Sequence, residues 1–462
     1  MDQHARRALS QAAGPGNYSD GPEDRVLYAY DASRRRHLPE AVVRAQSAAQ
    51  VAAVMAAATA HRVPVVPRGA GSGLTGGALP VAGGVVLDLA GMNRIIKIDP
   101  ADQVAVVEPG VVTAELQAAA EARGLFYPPD PASVDFCTVG GNAAENAGGL
   151  RAVKYGVTRD YVLALEAVLP DGRVFSTGGA TIKSVVGYDL TRLIVGSEGT
   201  LAVITGLTLR LLPKPEAKAT VSAFFNSLDQ AAQAVQAVLL SGIIPTALEF
   251  IDGLSLRAVE SYAGLGLPPG VQAMLLIDVD GAPEVVAGQA GRLAGLLADS
   301  GGEAVQTALD PAEAAGLWRA RRAMGPAVFN LAPNKLNEDV AVPLGRLAET
   351  IQAIHAIGQR RGLAIPTFGH AGDGNLHVNV MYDASQPGQE EAAHQAVTDV
   401  FAKVLQVGGT LSGEHGVGTA KLGYVGAEID PVALELMRGL KKLFDPAGIL
   451  NPHKAIPAPG TI

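Results

Sequence analysis

Three histidines and a glutamate sit in two short glycine-framed motifs, and their types and spacing could support metal-assisted chemistry. The first motif is Phe368-Gly369-His370-Ala371-Gly372-Asp373-Gly374-Asn375-Leu376-His377-Val378-Asn379-Val380. Asp373-Gly374, with Gly372, marks a sharp turn. The residues on either side alternate polar and apolar, which predicts a hairpin. Beyond the turn His377 and Asn379 are two apart and so share a strand face. His370 ends the strand before the turn and can meet His377 across it. The second motif, Leu411-Ser412-Gly413-Glu414-His415-Gly416-Val417-Gly418, sets an acid and a third histidine between glycines. Glycine permits the tight backbone that aims adjacent side chains at one point. Two histidines and one glutamate, with a position left open, form the ligand set of a catalytic divalent-metal site. Zn²⁺, Mn²⁺, Co²⁺ and Fe²⁺ all accept such a set. The bland alternative is a pair of hydrogen-bonded hairpin histidines, and the Glu414-His415 pair weighs against it.

The elements that must position these residues divide the chain in two. The break Pro213-Lys214-Pro215 marks a boundary. Beyond it a strand–helix–strand pattern recurs: 220–225, 228–240 and 247–251; 273–279, 285–300 and 303–306; then 338–342, 346–362 and 364–369. This recurrence predicts an antiparallel sheet with helices on one face, ferredoxin-like, with the first motif at the end of its last copy. A helix over 312–324 carries Trp318, Arg319, Arg321 and Arg322. Three arginines on one turn are either a solvated face or a source of one bidentate clamp for a carboxylate.

Before the break, a strand at 42–44, a helix at 48–61 and a strand at 64–67 lead into Arg68-Gly69-Ala70-Gly71-Ser72-Gly73-Leu74-Thr75-Gly76-Gly77. Successive amides of such a loop can cradle phosphate oxygens. No Gly-Lys-Ser/Thr follows, so a nucleotide-hydrolase loop is excluded. Strands at 85–89, 95–99 and 104–108 come next, then a helix capped by Thr113. An irregular segment from Pro128 to Gly149 is long, glycine-rich and almost uncharged, which suits a flat heterocyclic ligand. A hairpin over 162–176 and a strand at 207–212 close this half.

The 462 residues contain 36 basic and 45 acidic side chains, a formal charge of −9, which argues against nucleic acid as a partner. The single cysteine, Cys137, excludes a disulfide framework and a four-cysteine iron–sulfur cluster within the chain. The first twenty residues lack the apolar core of a signal peptide. No apolar run approaches the ~20 residues of a spanning helix. A cytoplasmic location fits, with peripheral attachment to the inner face of a membrane compatible with it.

Three segments together resemble the FAD-binding module of flavoenzymes related to p-cresol methylhydroxylase and vanillyl-alcohol oxidase. They are Pro67 to Gly77; Thr138-Val139-Gly140-Gly141-Asn142-Ala143-Ala144-Glu145-Asn146-Ala147-Gly148-Gly149; and Gly196-Ser197-Glu198-Gly199-Thr200-Leu201. The resemblance implies that the first loop (Pro67, Arg68, Gly69, Ala70, Gly71, Ser72, then Thr75, Gly76 and Gly77) holds the pyrophosphate. It implies that Pro131 and Ser133, then Thr138 through Gly149, run beside the flavin ring. Glu198, Gly199, Val203 and Ile204 would cover the adenosine side. The tail Leu443 to Lys454, with Asn451, resembles the segment that returns to the flavin. Residues 63–80 hold no histidine to tether the cofactor, so FAD is expected to be non-covalent, and Cys137 is read as a packed small residue.

Within this group the histidine and glutamate set resembles the branch of D-lactate dehydrogenases, D-2-hydroxyglutarate dehydrogenases and the glycolate oxidase D subunit. The resemblance runs from about Val42 to the C-terminus. It implies an α+β chain: residues 1–37 as an N-terminal segment, 38–215 as the FAD domain in two subdomains, 216–425 as the substrate domain and 426–462 packing back on the flavin. It implies His370, His377 and Glu414 as ligands of a divalent metal, zinc first among the candidates. It also implies His415 as base, and Asn379 and Arg321, with Lys335 as a weaker candidate, on the substrate. The expected reaction takes a D-2-hydroxy acid to the 2-oxo acid, with hydride passing to flavin N5. His415 must be neutral to act as base, so acid should slow it. Electrons would leave to a quinone, a cytochrome or a partner subunit, and a homodimer is compatible with all of this. The rivals are an oxidase of the same fold acting on a sugar, lactone or aromatic alcohol, and a non-catalytic flavin subunit.

Overall fold

The computed structural model describes residues 1–460. The chain is a mixed α and β protein that separates into two units: Met1–Gly149 with Gly156–Lys214 and the stretch from Glu414 onward, and Leu150–Tyr155 with Pro215–Gly413.

The first unit contains two sheets. In one, Val85–Asp88 pairs in parallel with both Ala41–Arg44 and Val65–Arg68, and Tyr18–Ser19 adds an antiparallel edge. The crossover helix Ala48–Ala60 starts where the Ser47 hydroxyl accepts the Gln50 amide, as an N-cap should. Its alanine-rich face packs Val51, Val54 and Met55 against Val43, Val65 and Leu87. The other sheet is antiparallel, in the order Ile95–Asp99, Val104–Val107, Val203–Arg210, Val162–Val168, Val174–Gly178.

The C-terminal helix Pro431–Phe444 is capped by Asp430 and returns the chain to the first sheet. There the Val65 amide donates to Ile449 O and the Asn451 amide donates to Val65 O, both at 2.8 Å. Asp445, buried, organises this return. It accepts Lys441 Nζ at 2.6 Å, the Ile449 amide at 3.2 Å and the Leu450 amide at 2.8 Å. Lys441 Nζ also donates to Thr200 O and Leu450 O. Removing one partner of such a pair strands the other in low dielectric. Asp445→Ala is therefore expected to lower stability by about 3–5 kcal/mol, read as a fall in the urea midpoint at unchanged slope. A midpoint within error of the parent would remove this role.

Two expectations differ here. Thr113 does not cap its helix, which runs Thr113–Glu121 behind Val112. Its hydroxyl is buried and engaged with Cys137 and the Asn142 amide group, the latter at 2.8 Å. The segment from Pro128 to Gly149 is not wholly irregular. A helix, Val139–Glu145, forms because the Thr138 hydroxyl accepts the Gly141 amide and Asn146 takes the left-handed turn that ends it.

The second unit is built on one seven-stranded antiparallel sheet. Its order is Glu303–Ala308, Ala217–Phe225, Ala273–Gly281, Ala247–Asp252, Thr367–His370, Asn375–Tyr382, Asn334–Ala341. The three strand–helix–strand repeats are present, with helices Leu228–Leu240, Pro283–Asp299 and Leu347–Arg361. Helices lie on both faces rather than one. Gly253–Ala263 and Arg319–Ala327 pack with Phe224, Ile251, Met274 and Phe368, which alternate with the residues facing the repeat helices. The expected arginine helix is also split, as Pro311–Leu317 and Arg319–Ala327. Trp318 stands at the break, its indole N–H donating to buried Asp278 at 3.1 Å.

Leu150–Tyr155, although it interrupts the first unit's chain, belongs to the second. Lys154 and Tyr155 bond Asp280, and Val153 fills the space above Gly372, where a Cβ would meet it at 2.6 Å.

Candidate functional site

Strand register decides which side chains share a face in the second unit. Glu249 pairs with His370, Phe368 with His377, His377 with Asp339, and Asn379 with Asn337. His370 and His377 are diagonal neighbours across the hairpin, a separation long side chains can bridge. Their Nε2 atoms lie 3.5 Å apart with rings perpendicular, and both are buried.

Behind His370, Nδ1 meets Oε1 of Glu249 at 2.5 Å, and the other Glu249 oxygen accepts Arg321 Nε at 2.5 Å. Burial alone would raise the Glu249 carboxyl. The His370 and Arg321 charges and hydrogen bonds overrule it and hold it down at about 2. The Arg321 guanidinium also lies 5.0 Å over the Phe368 ring. Glu249 was not anticipated from the sequence. Its signal is a lone acid inside the apolar run Ala247-Leu248-Glu249-Phe250-Ile251.

Asn379 is buried, and its Nδ2 donates to His377 O at 3.3 Å and Pro366 O at 3.4 Å, while Oδ1 is unpartnered. Lys335 pairs with Met381, four ladder positions from Asp339, with its ammonium 5.4 Å from the Phe329 ring. Asp339, opposite His377, accepts the Gly413 amide at 2.6 Å and the Ser412 hydroxyl at 3.1 Å. A Cβ on Gly413 would meet the Asn375 side-chain Nδ2 at 2.0 Å, so a larger residue there would have to displace that side chain. Glu414 is the next residue along the chain.

Ligand distances of ~2.0–2.1 Å around a tetrahedral zinc place two imidazole nitrogens about 3.3 Å apart. The His370–His377 spacing is close to that, and a carboxylate on the far nitrogen is the usual support of a metal-bound imidazole. The donor set therefore fits a divalent cation.

The first unit encloses a cavity of ≈ 350 Å³, within the range of ligand sites. Its wall includes Pro67 through Leu74 and Gly77, then Pro131 and Ser133, then Thr138 and Gly140 through Asn142. Glu145, Gly148, Glu198, Gly199, Ile204 and Asn451 complete the expected set there. Glu414 and His415 are part of the same wall. Ser197, from the third glycine segment, lines it too, as do Ala32 and Phe136, which were not anticipated.

Buried Arg68 Nη1, Ser197 Oγ and Glu145 Oε2 have no protein partner. A Cβ on Gly69 would meet the Thr138 hydroxyl at 2.2 Å, and one on Gly71 would meet Arg68 Nη2 at 2.1 Å. Glycines that leave bare backbone, beside an unpaired guanidinium nitrogen, suit an anionic ligand rich in acceptors. The cavity thus fits a dinucleotide such as FAD.

Thr75, Gly76, Asn146, Gly149 and Val203 lie outside the wall. Thr75 instead stitches the His415 segment to the glycine loop: its hydroxyl donates to His415 O at 3.1 Å and its carbonyl accepts the Thr419 amide at 2.9 Å. Asn146 Oδ1 accepts the Arg159 amide at 2.9 Å. Val203 is packed in its strand. Asn451 Nδ2 donates to Gly77 O at 3.1 Å and Glu198 O at 2.7 Å, tying two of the loops together. Cys137 is buried beside Thr113.

Residues 39–178 match the FAD binding domain family, and residues 214–455 match the C-terminal domain family of FAD linked oxidases. The chain is 43% identical over 455 residues to the glycolate oxidase subunit GlcD of Bacillus subtilis (strain 168), covering 98% of this chain and 97% of that one. It is 37% identical over 425 residues to a D-lactate dehydrogenase of Anaerostipes hadrus, covering 90% and 89%. The crystal structure of p-cresol methylhydroxylase with substrate bound superposes with a TM-score of 0.81 at 20% identity, covering 98% and 96%, which speaks to the fold. No helix among the described residues is long and apolar enough to cross a membrane.

Proposed function

The chain belongs to the FAD-linked oxidase family, and we propose that it oxidises a D-2-hydroxy acid, of the D-lactate, glycolate or D-2-hydroxyglutarate type, to the 2-oxo acid. FAD is held non-covalently in this reading. His370, His377 and Glu414 hold a divalent ion, zinc first and Mn²⁺, Co²⁺ or Fe²⁺ as substitutes. The observation that carries the proposal is the His370–His377 pair. Their Nε2 atoms face each other at 3.5 Å, close to the spacing of two imidazole nitrogens on one tetrahedral ion. Glu249 on Nδ1 of His370 fixes the ring's tautomer and orientation.

When bound, FAD accepts the two electrons and the carbon-bound hydrogen of the alcohol, and the divalent ion polarises its hydroxyl. His415 takes the hydroxyl proton onto a ring nitrogen. Arg321 has Nε committed to Glu249 and keeps its two terminal nitrogens for the substrate carboxylate, a bidentate match. Asn379 offers its unpartnered amide atom to the substrate. Lys335 is the second cation on that face. Electrons then pass to a quinone, a cytochrome or a partner subunit.

Anaerobic mixing of the yellow protein with a panel of D- and L-2-hydroxy acids, with and without chelator, tests this. Bleaching of the flavin by a D-acid, lost on chelation, is expected. Bleaching only by a sugar, lactone or aromatic alcohol would select the rival oxidase. Arg321→Lys keeps the charge but loses the fork, and should raise KM for the acid about tenfold or more with a smaller change in kcat. An unchanged KM would take Arg321 out of substrate binding.

A further inference from the structure

A carboxyl in the first unit's cavity is walled in without a hydrogen-bond donor. Glu145 is the last residue of Val139–Glu145 and lines the cavity, with Oε2 sealed from solvent and unpartnered. Two glycines make room for it. A Cβ on Gly77 would stand 2.8 Å from Oε1, and one on Gly416 would stand 2.3 Å from Oε2. Glu198 approaches the same place, with Oε1 3.2 Å from that Gly416 position.

The two acids are treated differently. Each oxygen of Glu198 accepts a backbone amide, from Val417 and Gly418, both at 2.7 Å. That environment suits a carboxylate. Glu145 has no such donors. The other charged groups facing it are Asp31 and Lys454. The Lys454 ammonium spends its protons on Leu79 O at 2.6 Å, Asn451 Oδ1 at 3.1 Å and Gly77 O at 3.4 Å.

Burial, with Glu198 and Asp31 adding to it, pushes the Glu145 carboxyl well above the ordinary range, and Lys454 opposes this only in part. Burial also raises Glu198, against its two amide bonds. It brings Lys454 down to about 8. An unpaired buried carboxylate is costly, and taking up a proton removes the charge.

We propose that Glu145 occupies the cofactor site as the neutral carboxylic acid and donates a hydrogen bond to an acceptor, a carbonyl oxygen or imine nitrogen, of the bound flavin ring system. Phosphate oxygens are the poorer partner, because the glycine loop and the unpaired Arg68 nitrogen already serve them and an acid that ionised beside them would repel. The inference rests on the cavity being the FAD site.

The test is FAD affinity of the full-length apo-protein, by quenching of flavin fluorescence, for the parent, Glu145→Gln and Glu145→Leu, at mildly acidic and alkaline pH. Glutamine is neutral and keeps a donor, so its dissociation constant at acidic pH should stay within about threefold of the parent's. Leucine should be weaker by about tenfold, roughly the 1.4 kcal/mol of one hydrogen bond. The parent should lose more affinity at alkaline pH than Glu145→Gln does, since the part due to Lys454 persists in both. Glutamine as damaging as leucine, or equal pH dependence in parent and glutamine variant, overturns the proposal. Both variants are compared by far-UV circular dichroism and melting temperature. If leucine misfolds, the glutamine variant, isosteric with the parent, decides the question through its pH dependence. A parent that binds no FAD would instead overturn the cofactor reading itself.

Discussion

His415→Ala is expected to slow reduction of the bound flavin by a D-2-hydroxy acid about 10²–10⁴-fold, the usual contribution of a positioned base, while the protein still purifies yellow. The reason is where the residue is held. His415 stands in the wall of the cavity that the glycine loops form. Its carbonyl is fixed by the Thr75 hydroxyl, and the amides two and three residues on are fixed by Glu198. The backbone is therefore anchored independently of the imidazole, and removing the ring should leave the cofactor site standing. Stopped-flow bleaching under anaerobic conditions reads the effect directly, before any acceptor is involved. Near-normal bleaching by His415→Ala would assign the proton to another group.

Removing the divalent ion should have the second large effect. Chelation, His370→Ala or His377→Ala is each expected to abolish substrate-dependent bleaching, with the metal content of the variants falling toward zero. More informative is Glu249→Gln. Glu249 touches neither the substrate nor the ion in this reading, but it holds Nδ1 of His370 and Nε of Arg321. Loss of such a supporting carboxylate typically costs 10–100-fold in metal affinity. The amide keeps the shape and removes the charge, so excess metal should restore activity to Glu249→Gln and not to His377→Ala. Full metal affinity in Glu249→Gln would mean that the carboxylate serves packing alone.

Much of this site was legible because its signals are local. The hairpin shows itself through period-two alternation around Asp373-Gly374, and the ladder pairs Phe368 with His377 as that alternation requires. The three glycine segments point to a ligand only together, through their resemblance to an FAD-binding module, since any one of them alone would read as a turn. Glu249 escaped notice because a lone acid in an apolar strand has no local reason to be there. Only the register, which sets it opposite His370, supplies one. Thr113 was misread for a related reason: threonine before a helix is ordinarily a cap, but here Cys137 and Asn142, distant in sequence, claim its hydroxyl. Glu145 reads as one more residue of a motif until Gly77 and Gly416 are seen to close around it.

The sequence by itself determined the chemistry on offer: which residues can bind a metal, cradle phosphates or take a proton, and the strand–helix–strand order that carries them. Those follow from side-chain type and from backbone periods of a few residues. The tertiary structure alone decided which polar groups support the others and which are left unmatched, as with Glu249 behind His370 and the bare carboxyl of Glu145. Those relations join residues far apart in the chain, and no local pattern encodes a long-range hydrogen bond or its absence.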